Sequence, residues 1–350
     1  MFPTKSRQLS GYIFGLQCKG IPNRKGFALM MSRLFYAFGV TVLALLVATP
    51  VWSGEADIAL RSGFRHDELR WSIGGGGLDV LSELQWKDLE IFQMEGYGRY
   101  LWKRPEGAFD VAVRASAGYG WIVHGKNRDS DYAGPDRSDE WSRSSNGADQ
   151  GEVLDLSLAG GLQFPLTGKG VSITPLLGYS YHEQNLTLRD GMQVLSDQTL
   201  ADRFFGAGEV TVPALGPFPG LDSTYATQWY GPWTGVEMVY SPVARFSLAG
   251  RLELHLVDFR AEADWNLRSD MQHPKSFVQK ATGYGLVGEV TGKYALDSRW
   301  GVELALAYSD WRAEDGTDRI YLADGTRAST RLHEVCWTSL ALNLGLVFRY

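Results

Sequence analysis

The chain has 350 residues, carries a formal net charge of −6 at pH 7, and is rich in Gly, Trp and Tyr. A small negative charge argues against a nucleic-acid partner. Beyond the amino-terminal region, no stretch reaches the 18 consecutive apolar residues expected of a spanning helix, so a helical membrane protein is excluded as well.

The amino-terminal region has the pattern of an export signal. Arg33 precedes an apolar run over residues 34–51, and small residues follow it at Ser53 and Gly54. This order of a basic, an apolar and a small-residue region is typical of a secretory signal peptide. Because Met30 and Met31 come just before Arg33, we expect residues 1–29 to be an over-long start. The predicted organisation is an over-long start with a signal peptide over 1–53 (the signal over about 30–53) and a mature domain over 54–350.

Alternation of apolar and polar residues dominates the mature domain and predicts β-strands throughout. The segments are bounded by Gly, Pro, Asp and Ser, which favour turns. The predicted strands cover residues 56–73, 79–103, 108–124, 150–164, 171–189, 222–240, 244–263, 281–296 and 299–311, with a tenth that closes the chain.

The closing strand has the clearest pattern. Over residues 340–350 every second side chain is apolar, and the chain ends on an aromatic residue. The apolar positions are Leu340, Leu342, Leu344, Leu346, Phe348 and Tyr350. This pattern is typical of the last strand of a bacterial outer-membrane barrel, although a terminal strand in a soluble sandwich would show it too.

Long and short connections alternate along the chain. The long polar ones are predicted over residues 125–148, 191–221, 264–280 and 312–331. Outer-membrane barrels have short periplasmic turns and long extracellular loops, and an even strand count places both termini in the periplasm. The sequence therefore predicts an all-β protein: a ten-stranded antiparallel transmembrane β-barrel in the bacterial outer membrane.

The second face of the predicted strands is polar and carries both signs of charge. Ten strands enclose little space, so side chains should fill the interior. We expect a buried network of ion pairs there, and no conducting pore, because unpaired buried charge is costly. The members are Glu95, Arg99, Arg114, Asp155, Glu237, Arg251, Glu253, His255, Glu289, Lys293 and Glu303.

Several short motifs resemble those of a known family. They are Ser82-Glu83-Leu84-Gln85-Trp86-Lys87 on the second strand, Asp129-Ser130-Asp131-Tyr132, Trp141-Ser142, and Gly178-Tyr179 on the fifth strand. In these motifs, and in length and loop order, the chain resembles the omptin family of outer-membrane aspartyl proteases. The resemblance implies a ten-stranded barrel with a protease site at its extracellular mouth.

In that family an Asp-x-Asp pair faces an Asp-x-His pair across a cleft, and the resemblance assigns the first pair to Asp129 and Asp131. Repulsion between two such carboxylates can raise the pKa of one of them. A solvated polar loop is the alternative interpretation of these residues. The second pair is incomplete, because Asp264 is present but Asn266 stands where the His belongs. An amide cannot act as a general base at neutral pH. His273 is the candidate replacement, and His124 is a second inward-pointing candidate.

Two functions follow from these residues. The leading hypothesis is an omptin-like barrel with a degenerate protease site that acts as a surface binding or structural protein. The alternative is an aspartyl-type endopeptidase that uses Asp129, Asp131, Asp264 and a relocated His273. A lipid-modifying acyltransferase barrel and a small channel are less favoured. We expect no cofactor and no metal, and a monomer whose partners are outer-membrane lipid, lipopolysaccharide and an extracellular peptide or protein.

Overall fold

The computed structural model describes residues 54–104, 108–166 and 170–350. The predicted signal peptide, and parts of the predicted turns at 104–107 and 165–170, lie outside these residues. Among the described residues, no helix is long and apolar enough to cross a membrane.

The described residues are almost entirely antiparallel strands. Two short helical elements interrupt them, a 3-10 turn at Pro135–Arg137 and one helix, α1, at Gln198–Phe205. The strands are β1 (Gly54–Gly75), β2 (Leu78–Trp102), β3 (Asp110–Tyr132), β4 (Glu140–Gly147), β5 (Gly151–Leu166), β6 (Val171–Ser196), β7 (Gly216–Val243), β8 (Phe246–Asp264), β9 (Phe277–Ala295), β10 (Trp300–Tyr321) and β11 (Arg327–Arg349).

The strands close into a ring of ten positions. β1 pairs with β2 on one side and with β11 on the other, from Asp57 opposite Arg349 to Gly74 opposite Arg331. β4 and β5 share one position between β3 and β6, because each pairs with a different part of both neighbours. The predicted ten-stranded antiparallel barrel is therefore confirmed.

The predicted long connections are shorter than the sequence suggested. Residues 125–148 hold the end of β3 and all of β4, and residues 312–331 hold most of a hairpin between β10 and β11. Residues 191–221 hold the end of β6, α1 and the start of β7. The strand ends at 125–147 and 312–331 have mostly polar residues on both faces, and Gly and Pro interrupt the start of β7, so alternation does not reveal these segments. Backbone pairing in the hairpins still satisfies their N–H and C=O groups.

An apolar belt surrounds the part of the barrel near the termini. Outward side chains of this belt are strongly exposed, for example Leu177 at 71% and Leu344 at 64%. Its members include Leu60, Phe64, Phe92, Trp121, Leu158, Tyr179, Met238, Leu254, Leu286, Leu306, Tyr308, Leu340 and Leu342. Such a surface is unfavourable in water and fits a lipid bilayer. We call the polar strand ends and connections beyond the belt, opposite the termini, the mouth.

The interior at the level of the belt holds the predicted ion-pair network. Arg61 is 2% exposed and lies between Glu303, Glu289 at 3.3 Å and Glu95 at 3.5 Å. Further pairs join Arg114 to Glu237 at 2.8 Å, Arg251 to Glu253 at 2.7 Å, and Arg251 to Glu289 at 3.2 Å. Mutual pairing makes burial of these charges tolerable in a low-dielectric interior.

Aromatic side chains occupy the interior closer to the mouth. Trp311 and Trp337 stack with ring centroids 5.3 Å apart, and Trp229 lies 4.5 Å from Phe259. Trp86 stacks on Tyr225 at 5.0 Å. These buried rings form one apolar cluster with neighbouring Leu, Ile and Val side chains. The lumen beneath the mouth is thus filled by packed side chains, which is consistent with the expected filled interior.

Candidate functional site

Asp129 and Asp131 lie on the mouth end of β3 and point into the lumen. Asp129 is in register with Leu84, and Asp131 with Ser82, on β2. Leu84 is buried in the interior cluster, so its register partner Asp129 and the next same-face residue Asp131 share the inward face. Both carboxylates of the Asp-x-Asp motif therefore face the lumen at the mouth.

The two carboxylates perturb each other. The pKa of Asp129 is raised well above its ordinary value, because the surrounding protein shields it from water and because the charge of Asp131 repels a second charge. Among the described residues, neither side chain has a hydrogen-bond or ion-pair partner. Asp129 therefore keeps its proton to a higher pH than an ordinary aspartate does.

Residues 265–276 connect β8 to β9 and fold inward over the lumen; we call them the mouth segment. Trp265 packs on Phe277 with ring centroids 4.8 Å apart, and Met271 is buried against the interior cluster. The backbone N–H of Gln272 donates to the carbonyl of Tyr321 at 2.9 Å. These contacts fix the mouth segment against the hairpin between β10 and β11.

The mouth segment presents a cation to the aspartate pair. The Arg268 guanidinium donates two hydrogen bonds to Asp270, at 2.7 and 2.6 Å. Burial lowers the pKa of Arg268, but the hydrogen bond to Asp270, together with the charges of Asp270, Asp131 and Asp129, outweighs burial and raises that pKa. Arg268 therefore stays protonated and acts electrostatically on both carboxylates. The sequence analysis missed it, because nothing local distinguishes Arg268 from other loop arginines.

His273 pairs with Asp264, the carboxylate at the end of β8. The His273 Nδ1 lies 2.7 Å from Asp264 Oδ1, and both side chains are partly exposed. The hydrogen bond to Asp264 raises the pKa of His273 above its ordinary value. Ala261 and Ala263 of β8 are buried in the interior cluster, so alternation directs Asp264 to the outward side of the barrel wall. Asp129 and Asp131 therefore face the lumen, whereas Asp264 and its partner His273 lie on the outward side of the barrel wall.

The Asn266 side chain forms hydrogen bonds that hold the mouth segment in place. Its amide oxygen accepts hydrogen bonds from the backbone N–H of Asp222 and the hydroxyl of Ser223, both at 3.0 Å. Its amide nitrogen donates to the carbonyl of Gly220 at 2.7 Å. Asn266 therefore anchors the mouth segment to β7, at the position where the omptin resemblance expects a histidine.

The prediction that His124 points inward is wrong. His124 is exposed on the outer surface, in register with Glu90. An irregularity in the pairing between β2 and β3 falls beside it, because Ile122 pairs with Ile91 while His124 pairs with Glu90. One extra residue on β3 reverses the faces, and simple alternation cannot anticipate it.

Two arginines near the aspartate pair have other partners. Arg128 donates to Gln85 at 3.0 Å, and Arg137 forms an ion pair with Glu83 at 2.7 Å. Arg137 also lies 3.3 Å from Glu334. These contacts hold the turn after β3 against the outer wall of the barrel, so neither arginine neutralises Asp129 or Asp131 by direct contact.

The family described as Protochlamydia outer membrane protein matches residues 59–350. The chain belongs to this family. It is an outer-membrane β-barrel protein, as its outward apolar belt indicates. No curated protein matches the chain.

Solved structures of outer-membrane proteins match this member of the family at low sequence identity. The outer membrane protease OmpT from Escherichia coli is 15% identical, covers 87% of this chain and 99% of its own, and superposes with a TM-score of 0.66. The translocator domain of NalP from Neisseria meningitidis is 10% identical, with coverages of 93% and 96% and a TM-score of 0.34. A major outer membrane protein from Thermus thermophilus is 12% identical, with coverages of 85% and 100% and a TM-score of 0.32. At these identities the likeness to OmpT concerns the fold alone.

Proposed function

We propose that this protein is an omptin-like barrel with a degenerate protease site, and that it binds an extracellular peptide or protein at its mouth. One observation carries the proposal: Asp129 and Asp131 face the lumen and interact electrostatically with Arg268, whereas His273 is hydrogen-bonded to Asp264 on the outward side. The filled lumen supports a barrel that does not conduct.

The chemistry of the mouth favours binding over hydrolysis. In the omptin arrangement, a histidine opposite the aspartate pair accepts the proton when water is activated. Arg268 cannot do so because a guanidinium stays protonated, and the amide of Asn266 is not basic. Asp131 and Asp129 can instead accept hydrogen bonds from a basic side chain of a bound peptide.

The lengths of the connections support a proposed orientation in the membrane. The connections β7–β8 at 244–245 and β9–β10 at 296–299 are short and lie at the same end as the termini, whereas 197–215 and 265–276 lie at the mouth. With short turns on the periplasmic side, the termini are periplasmic and the mouth is extracellular. We further propose a monomer surrounded by outer-membrane lipid and lipopolysaccharide.

An endopeptidase is the second candidate, and one observation favours it. The 2.7 Å hydrogen bond from His273 to Asp264 orients the imidazole in the way that an Asp–His pair requires. Catalysis by this pair would need the mouth segment to bring His273 to the lumen side, close to Asp129 and Asp131.

A cleavage assay separates the two candidates. Refolded protein with lipopolysaccharide is incubated with a mixed peptide library, beside Asp131→Ala and the matched control Asp149→Ala, which changes an exposed aspartate between β4 and β5. We expect no cleavage by any of the three. Cleavage that persists in Asp149→Ala and disappears in Asp131→Ala would overturn the proposal in favour of the endopeptidase.

Binding is measured with the same proteins. A fluorescent peptide rich in Lys and Arg should bind the parent and Asp149→Ala alike, and bind Asp131→Ala about tenfold more weakly, because a charge-assisted hydrogen bond is lost. Equal binding to all three would refute the assignment of the peptide site to the mouth.

In planar bilayers we expect no steady conductance, and a stable open level would contradict the filled lumen.

A further inference from the structure

A bulge in the pairing of β1 and β2 lies just beyond the apolar belt on the outer wall. Asp67 pairs with Leu89 and Leu69 pairs with Trp86, so Glu68 alone faces two residues, Lys87 and Asp88. The extra residue moves the side chain of Asp88 toward β1, and Asp88 adopts a left-handed backbone conformation with φ 53°.

The bulge brings together three side chains with metal-ligand atoms. His66 and Glu68 are two residues apart on β1 and share its outward face. The ligand atoms of His66, Glu68 and Asp88 all lie within 4.8 Å of one another. Phe64 lies two residues before His66 on the same face of β1, and it is 65% exposed in the apolar belt. The cluster therefore sits where the barrel leaves the bilayer.

Two of these three side chains have no other partner in the part of the chain that the structure describes. Within the described ranges, the side chains of His66 and Glu68 have no hydrogen bond or ion pair, and Asp88 has only Lys126, whose Nζ lies 3.6 Å away. Glu90 is the register partner of His66 and adds negative charge beside the cluster, whereas Lys87 adds positive charge. Two carboxylates close together repel each other, and a bound cation would remove that repulsion.

We propose that His66, Glu68 and Asp88 bind a divalent first-row transition-metal ion such as Zn²⁺. One imidazole nitrogen and two carboxylate oxygens suit Zn²⁺ better than Ca²⁺ or Mg²⁺, which prefer oxygen ligands only. All three side chains are exposed, so water completes the coordination shell. The ion cross-links β1 and β2 at the bulge, where the regular ladder of backbone hydrogen bonds is interrupted.

Sequence reasoning predicts no metal, because the ligands do not form a linear motif. A His-x-Glu pair on one strand is common, and Asp88 lies twenty residues further along the chain. Only the antiparallel pairing and the bulge place the third ligand beside the first two.

Calorimetric titration of the refolded barrel with ZnCl₂, and separately with MgCl₂, tests the site. The variants are His66→Ala and Glu68→Gln, and the matched control is His333→Ala, which removes a partly buried histidine on β11. We expect one Zn²⁺ bound by the parent and by the control. Binding should be weaker by roughly tenfold or more in His66→Ala and in Glu68→Gln, with no measurable Mg²⁺ binding.

Thermal unfolding gives a second readout that also shows that each variant is folded. Zn²⁺ should raise the melting temperature of the parent and of His333→Ala, and raise that of His66→Ala less at the same Zn²⁺ concentration, because a ligand that binds only the folded state stabilises it in proportion to its affinity. Equal Zn²⁺ affinity in the parent and His66→Ala would overturn the proposal. Absence of Zn²⁺ binding by the folded parent would overturn it as well.

Discussion

Replacing Arg61 with leucine should strongly destabilise the barrel. Arg61 is 2% exposed and is shared by Glu303, Glu289 and Glu95. Removing one partner from a buried charge cluster costs about 3–5 kcal/mol, because the carboxylates lose their compensation while they stay out of water.

The ion pairs that remain in Arg61→Leu indicate where in this range the loss of stability should fall. In Arg61→Leu, Glu289 keeps Arg251 at 3.2 Å, and Glu303 keeps Lys293 at 3.5 Å. Among the described residues, Glu95 has no ion-pair partner other than Arg61, so one carboxylate carries most of the penalty. We therefore expect a loss near the lower limit, about 3 kcal/mol, out of the roughly 5–15 kcal/mol that stabilises a typical domain.

The free energy of unfolding is measured by urea titration in detergent micelles, followed by tryptophan fluorescence. Arg245→Leu is the control, since Arg245 is exposed in the turn between β7 and β8. The double variant Arg61→Leu/Glu95→Gln should recover much of the lost stability, because the amide carries no charge. A loss below about 1 kcal/mol in Arg61→Leu, or no recovery in the double variant, would refute the reasoning.

Three further predictions concern the mouth and the aromatic cluster. Burial raises the pKa of Asp318 to about 6 from an ordinary value of 3.8, so stability should fall as pH rises from about 4 to 6; Asp318→Asn should remove this dependence and stabilise the protein by about 3 kcal/mol at pH 8, as measured by urea titration. Trp311→Ala should cost about 3–5 kcal/mol in the same titration, because it removes a buried ring that stacks on Trp337. Asp264→Asn should lower the pKa of His273 toward its ordinary value in an NMR titration, because the carboxylate that raises it is gone.

Each of these predictions has a control. Asp190→Asn changes an exposed carboxylate on β6 and should leave the pH dependence intact, whereas an unchanged slope in Asp318→Asn would contradict the first prediction. Trp300→Ala removes a half-exposed ring of the belt and should cost less than Trp311→Ala; an equal cost would argue against a packed lumen. An unaltered His273 titration in Asp264→Asn would mean that another group sets the pKa.

The sequence alone determined the class of fold. Alternation with period two is a local property of the sequence. It therefore identifies the lipid-facing and the polar face of each strand in the belt. The closing strand at 340–350 is the clearest case. The charged inward residues also predicted the ion-pair network, since buried charges need partners of opposite sign. Polar strand ends such as β4 were missed because outside the bilayer neither face has to be apolar.

Tertiary structure decided the arrangement of the mouth. The pairing of His273 with Asp264, the approach of Arg268 to Asp129 and Asp131, and the anchoring of Asn266 on β7 join residues that are distant in sequence or that lie in loops without a period. Bulges decided the rest, because one extra residue on β3 turned His124 outward, and another on β2 brought Asp88 to His66 and Glu68. Which face a residue takes after a bulge depends on the partner strand, and the local pattern of residues does not contain that information.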